Sequence, residues 1–172
     1  TGEYPPMEGG VGAYSAILAE RLVTQGHTVY VLSSAAAQAS HPHISVDTSI
    51  RHWSLGALRT VRQWAHTHQL DVVSVQYQTA AYQMSPYIHF LPEALHPIPV
   101  VTTFHDLRAP YLFPKAGKLR DAIVMRMARA SDGVIATNHE DMMKLNSLPN
   151  VAMIPIGSNI LPSLPSGFDR TA

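Results

Sequence analysis

Glu8-Gly9-Gly10-Val11-Gly12-Ala13-Tyr14, closed by Gln25-Gly26-His27 and followed by Thr28-Val29-Tyr30-Val31-Leu32-Ser33, is the stretch that decides the fold. After the glycines, Val11, Tyr14, Leu18 and Leu22 recur at steps of three and four, which predicts a helix over residues 11–25. Gly26 fits the position just past its end, because glycine adopts a left-handed backbone cheaply. The β-branched run 27–33 lacks strict alternation, as expected of a strand covered on both faces. A glycine turn, a helix and a buried strand in succession are the unit of an α/β sheet.

The same rhythm continues outward. Residues 44–50 form a weaker strand. Ser54 is placed to cap a helix reaching about residue 69, with Leu58, Val61 and Ala65 inward. Strands are predicted at 71–78, 99–105, 133–137 and 150–156. Ser85-Pro86 reads as N-cap and first position of a short helix that Pro92 ends or offsets. Residues 118–130 are helical, with Leu119, Ile123, Met127 and Ala130 on one stripe. Asn138 with Asp141 resembles a capping box with Asp in place of Glu, opening a helix to about residue 146. Strands spaced by helices imply right-handed crossovers and a Rossmann-like, doubly wound, mostly parallel sheet. Ligands then sit beyond the carboxyl ends of the strands, which selects loops 4–12, 76–81, 105–110 and 138–139. A βα unit also calls for an apolar, central strand ahead of the glycine turn, and none stands between Thr1 and Gly9. The expectation is a piece of a larger protein: one domain over 1–157, then a Pro- and Ser-rich linker over 158–172.

The composition narrows the function. The 172 residues are 46% hydrophobic and 14% charged, a globular balance rather than a disordered one. Twelve Lys and Arg offset twelve Asp and Glu, so no global field draws nucleic acid. No cysteine is present, which excludes disulfides, thiolate metal sites and a cysteine nucleophile and permits a reducing, cytoplasmic setting. No apolar run reaches membrane-spanning length, and Thr1-Gly2-Glu3-Tyr4-Pro5-Pro6 has neither region of a signal peptide.

Two loops carry the chemistry. Gly9, Gly10 and Gly12 allow close backbone approach, and the free amides of a first helical turn favour an anion, typically phosphate. The alternative is a tight turn needing positive φ at Gly9 or Gly10. A dinucleotide site is disfavoured, because Ser15 stands where the third glycine of G-x-G-x-x-G belongs and no Asp or Glu occurs between Glu20 and Asp47. Neither a P-loop nor a G-x-S-x-G elbow occurs. The second loop follows Thr102-Thr103-Phe104-His105-Asp106. A histidine there faces the crevice and can donate to a phosphate or a sugar hydroxyl, with Asp106 orienting it or beginning the turn. A single histidine is also commonly structural. His41 with His43, and His66 with His68, lack a third ligand, so no metal is expected. Lys115, Lys118, Arg120, Arg126 and Arg129 against Asp121 form a solvated basic face. The other reading is a peripheral contact with an inner-membrane surface, helped by Tyr111, Leu112 and Phe113.

Residues 4–14, with Leu18-Ala19, Leu22, Gly26-His27 and Val29, resemble the opening of the glycosyltransferase family 4-like N-terminal domain. Val100 to Asp106 resembles that domain's strand ending in His-Asp. Residues 130–137 resemble the strand before its last helix, and Ile154-Pro155-Ile156-Gly157 its exit. The resemblance implies the acceptor-side half of a GT-B enzyme, a group 1 glycosyltransferase moving a sugar with retention from a UDP-, GDP- or ADP-sugar, without a metal. It implies that Gly9, Gly10 and Gly12 face the donor diphosphate and that His105 is catalytic, contacting the transferred sugar or the diphosphate. Glu8, Gln76, Tyr77, Asp106 and Asn138 are candidate acceptor or sugar contacts by position, as are Gln78 and Tyr82; Tyr77, Gln78 and Tyr82 could equally be helix-packing residues. The family's Glu-x7-Glu donor motif is missing, so the chain alone is expected to be inactive without a C-terminal, donor-binding domain. A non-catalytic sugar- or nucleotide-binding module of the same fold is the alternative.

Overall fold

A computed structural model describes residues 1–38, 42–107 and 117–157. The order is α1 (Gly10–Thr24), β1 (Val29–Ser34), β2 (Ile44–Ile50), α2 (Leu55–Thr67), β3 (Val73–Tyr77) and a 3-10 turn at Tyr87–Phe90. Then come α3 (Leu91–Leu95), β4 (Val100–Phe104), α4 (Gly117–Ala130), β5 (Gly133–Ala136), α5 (His139–Leu145) and β6 (Val151–Met153). Every strand pairing is parallel, as the alternation of elements requires. The fold is α/β and Rossmann-like, with parallel strands alternating with helices.

The strands form two sheets rather than one. β1 pairs with β2, and β3-β4-β5-β6 lie in chain order. Between β1 and β3 lies a cavity of about 860 Å³, walled by both strands and by α1 and α2. The buried apolar residues divide accordingly. One cluster gathers α2, α3, α4 and the larger sheet; a smaller one joins Tyr4, Ala16, Ala19, Val31, Ala37 and Ile44.

Most elements form for the reasons visible in their residues. Gly26 has φ +91°, and Gly26 N–H to Val23 O (2.9 Å) with His27 N–H to Leu22 O (3.1 Å) completes a Schellman ending for α1. On α2, Leu58, Val61 and Ala65 are buried. Ser54 is its N-cap residue but makes no side-chain capping bond. The Ser85-Pro86 start leads into the 3-10 turn, with Ser85 Oγ accepting from Tyr87 N–H at 3.2 Å. Pro92 then sits in the first turn of α3. The stripe expected on α4 is displaced: Val124, Met127 and Ala128 are buried, whereas Leu119 is 75% exposed. Strand β4 is fixed at its start by Asp132, whose Oδ2 accepts from Val100 N–H at 2.8 Å. It is fixed in its middle by Thr102 Oγ1 on Ser131 Oγ, also at 2.8 Å.

Candidate functional site

β4 delivers His105 to its carboxyl end. The His105 backbone N–H donates to Tyr77 O at 3.0 Å, extending the ladder with β3 by one step. The ring's Nε2 lies 2.9 Å from Gln76 Oε1. A carbonyl oxygen only accepts, so Nε2 carries the hydrogen. Gln76 is itself buried, and its amide is oriented by donation to Ser74 Oγ at 2.8 Å. Burial pushes the imidazole down to about 4, so the ring is neutral at pH 7. Nδ1 therefore keeps its lone pair. In this arrangement the ring's one N–H is directed at Gln76 and Nδ1 faces away from that bond as an acceptor. Tyr14 of α1 meets the ring edge-on, with centroids 4.8 Å apart and planes at 74°. Burial raises the Tyr14 phenol, which stays protonated.

The glycine turn leads into α1 beside this cluster. Gly9 is the N-cap residue, in extended backbone at φ 176° and ψ 144°. Neither Gly9 nor Gly10 has positive φ, so the tight-turn alternative fails. Space constrains Gly9 most, and there only against the movable end of the Glu3 side chain. A Cβ on Gly9 would overlap the Glu3 carboxylate, and one on Gly12 would lie 3.4 Å from the backbone of Glu3 and Tyr4. A Cβ on Gly10 would meet nothing within 4 Å. Gly12 is buried in the first turn of α1, packed on the incoming chain, rather than in the loop itself. The first bond from loop to helix is Ala13 N–H to Gly9 O at 3.1 Å. The amides of Gly10, Val11 and Gly12 thus fall outside the helical ladder. Beside them Glu3 Oε2 is buried with no hydrogen-bond partner, an acceptor that a hydroxyl would satisfy and a phosphate would meet as a like charge.

The other candidates scatter. Glu8 and Asp106 are exposed. Asn138 caps α5: its Oδ1 accepts from Asp141 N–H at 2.9 Å, and its Nδ2 donates to Asp141 Oδ2 at 2.8 Å. Tyr77 takes the packing position of its two readings. It is fully buried, with its hydroxyl 2.7 Å from His89 Nε2 and 3.1 Å from Thr79 Oγ1. Tyr82 is likewise buried, edge-on to Trp53. Tyr111, Leu112, Phe113 and Lys115 lie outside the described residues, as do the side chains of Lys118 and Arg120 and the expected linker 158–172. Arg126 is committed locally, 2.9 Å from Glu93 Oε1 and 4.8 Å from the centre of the Phe90 ring. Among the described residues no helix is long and apolar enough to cross a membrane, and no group of three metal-ligating side chains gathers.

Two features escape a linear reading. Tyr14 reads as one more residue on the α1 face, although its place one turn beyond Gly10 is a signal that it stays near the loop. The Gln76–His105 bond joins residues 29 apart in sequence, and only the pairing of β3 with β4 makes them neighbours.

The sequence profile of Glycosyltransferase Family 4 matches residues 8–157, most of the chain. The chain belongs to glycosyltransferase family 4. No curated protein matches it. The family-4 match opens at Glu8 in the glycine turn and closes at Gly157 after β6, so it takes in Tyr14, Gln76 and His105. A glycosyltransferase-type domain is thereby shown, with sugar-related substrates.

Proposed function

We propose that this domain supplies the acceptor-side wall of a retaining hexosyltransferase using a UDP-, GDP- or ADP-sugar, working in the cytoplasm together with a C-terminal donor-binding domain. One observation supports this most: a neutral, acceptor-bearing His105 stands with Tyr14 and Gln76 where the β3 and β4 ends meet the glycine-opened helix. His105 Nδ1 accepts from a hydroxyl of the transferred sugar. The amides of Gly10, Val11 and Gly12 receive the diphosphate as negative charge develops on it, the kind of stabilisation that lowers a barrier most. The bond from the anomeric carbon to the diphosphate breaks, the bond to the acceptor oxygen forms, and the acceptor's proton leaves on the diphosphate. The domain alone leaves the cleft one-sided and inactive. Tyr111, Leu112, Phe113, Lys115, Lys118 and Arg120 are proposed to meet a lipid acceptor's membrane from the inner surface.

The test is turnover by the full-length gene product on a panel of nucleotide-sugars. His105→Ala should lower kcat far more than stability. Gly10→Val, whose side chain has open space around it, should fold normally and lose donor affinity. A folded two-domain protein that turns over no donor, or one indifferent to both changes, refutes the assignment and favours a binding module.

A further inference from the structure

The loop that leaves β3 is held in a costly shape. Gln83 (φ 55°) and Met84 (φ 58°) are consecutive non-glycine residues in the left-handed region. A side chain there crowds the following carbonyl, so such residues normally occur singly and as glycine or asparagine. Neighbouring bonds enforce the conformation. Gln83 N–H donates to Ala80 O at 2.9 Å, Met84 N–H to Thr79 O at 3.1 Å and Ser85 N–H to Tyr82 O at 3.0 Å. Ser85 Oγ donates to the carbonyl of Trp53, which follows β2. His89 Nδ1 carries the hydrogen given to Pro86 O at 2.9 Å, which leaves Nε2 to accept from the Tyr77 hydroxyl at 2.7 Å. Ala81, Tyr82, Ile88 and His89 are buried, whereas Gln83, Met84, Pro86 and Tyr87 are exposed. Buried residues on both sides thus clamp an exposed tip.

Backbone strain of this kind persists only where the surroundings over-determine it, and it collects at ligand contacts. The tip lies in a suitable place. It ties the carboxyl end of β3 to the residue Trp53 beyond the carboxyl end of β2, the side on which ligands of such sheets bind. His105 is bonded to Tyr77 O at the base of the same loop. On its other flank the loop abuts the chain that enters the glycine turn, because a Cβ on Gly2 would overlap the Ala81 carbonyl. The tip is therefore continuous with the candidate site. Its chemistry is uniform: no Asp, Glu, Lys or Arg stands between Asp71 and Glu93. Met84 is 43% and Tyr87 41% exposed, so a thioether and an aromatic ring are offered with amide and hydroxyl groups and no charge. Such a surface gains from covering a neutral, partly apolar group, and it has nothing to offset the lost hydration of an anion.

We propose that Gln83, Met84 and Tyr87, on the strained loop after β3, form an acceptor-selecting surface that takes the neutral, apolar aglycone of a hydroxyl-bearing acceptor and disfavours an anionic one. The inference deepens the transferase reading and rests on it. The aglycone covers Met84 and Tyr87, and the amide of Gln83 meets its polar edge. The strain is the cost of presenting these side chains from one short turn, so relaxing it trades recognition for stability.

The test follows the Met84 methyl resonance of the full-length gene product, assigned with Met84→Leu, during titration with octyl β-glucoside below its micelle concentration, with glucose and with octyl phosphate. Octyl glucoside should shift the resonance saturably, and the other two should bind about tenfold more weakly or worse. Met84→Asp and Tyr87→Asp should each weaken octyl glucoside by about tenfold, read by calorimetry, and both should fold because the positions are exposed. Gln83→Gly combined with Met84→Gly should raise Tm by about 2–4 °C through loss of left-handed strain and still weaken octyl glucoside. Octyl phosphate bound as tightly as octyl glucoside overturns the proposal. So does a Met84 resonance that ignores all three probes, because another domain or a second copy then covers the tip. Turnover with an unaltered acceptor KM in Met84→Asp overturns it too and leaves the transferase reading standing. Octyl glucoside bound by a protein that turns over no nucleotide-sugar refutes the transferase reading, and with it the acceptor role of the tip.

Discussion

Replacing Gln76 by Glu puts a carboxylate where an amide oxygen now lies 2.9 Å from His105 Nε2. Burial holds the wild-type ring down to about 4. An opposite charge this close favours the charged ring by about 1–3 units, so the pair should titrate with an imidazole step near 5–7. Ser74 Oγ, which now accepts from the amide, can turn to donate to the new carboxylate. Stability should follow. In the wild type the folded value lies below the unfolded 6.5, so the unfolded chain binds more protons in between. The contribution of His105 is complete above about pH 6.5 and is lost as pH falls towards 4. At about 1.36 kcal/mol per unit the full shift would be worth roughly 3 kcal/mol, and partial solvent access to the ring reduces this to about 1–2 kcal/mol. Gln76→Glu should flatten that part of the acid limb. Proton–carbon correlation spectra of the histidine rings from pH 3 to 9, with His105→Ala supplying the assignment, measure the titration. Urea unfolding at pH 4.5 and 7 measures the linkage. A wild-type His105 titrating near 6.5, or a mutant ring that does not rise by at least half a unit, refutes the reasoning.

Four further outcomes follow from the packing. Leu95→Ala opens a cavity at a fully buried position and should cost about 2–5 kcal/mol in urea unfolding. Asn138→Ala should cost about 1 kcal/mol through loss of the α5 cap. Asp141→Ala should cost more, because it also strips the Leu107 N–H of the carboxylate it donates to at 3.2 and 3.3 Å. Gly9→Ala should cost less than about 1 kcal/mol in thermal melting, because only the carboxylate end of Glu3 has to swing aside, and Glu3→Ala in the same chain should remove that cost; a loss of several kcal/mol would show that the backbone itself is crowded.

Local patterns were legible wherever a short window held both the signal and its cause. The α2 face, the Gly26 ending and the Asn138–Asp141 cap are of that kind. Leu119 was misplaced because periodicity marks a helix face without showing where a packing partner stops, and it lies at the first turn of α4. Tyr77 stayed open between site and packing because a tyrosine at a strand end suits both until His89, 12 positions later, closes over its hydroxyl. The His105 cluster was legible as a place but not as chemistry. The sequence located the histidine at the end of β4, whereas its tautomer depends on Gln76, and that partner is set by tertiary pairing.

The bonds around Leu107 have a consequence for how the site opens. Its N–H is held by Asp141, and its carbonyl accepts from Lys144 Nζ at 3.1 Å, so α5 grips the backbone two residues beyond His105 from both sides. A seven-residue helix has little stability of its own and forms only against its neighbours. Unwinding of α5 would therefore release both Leu107 groups together and lengthen the tether on His105, while the β3–β4 ladder stayed intact. Residues 105–107 and 138–145 then behave as one cooperative unit, opening at a lower free energy than the rest of the domain.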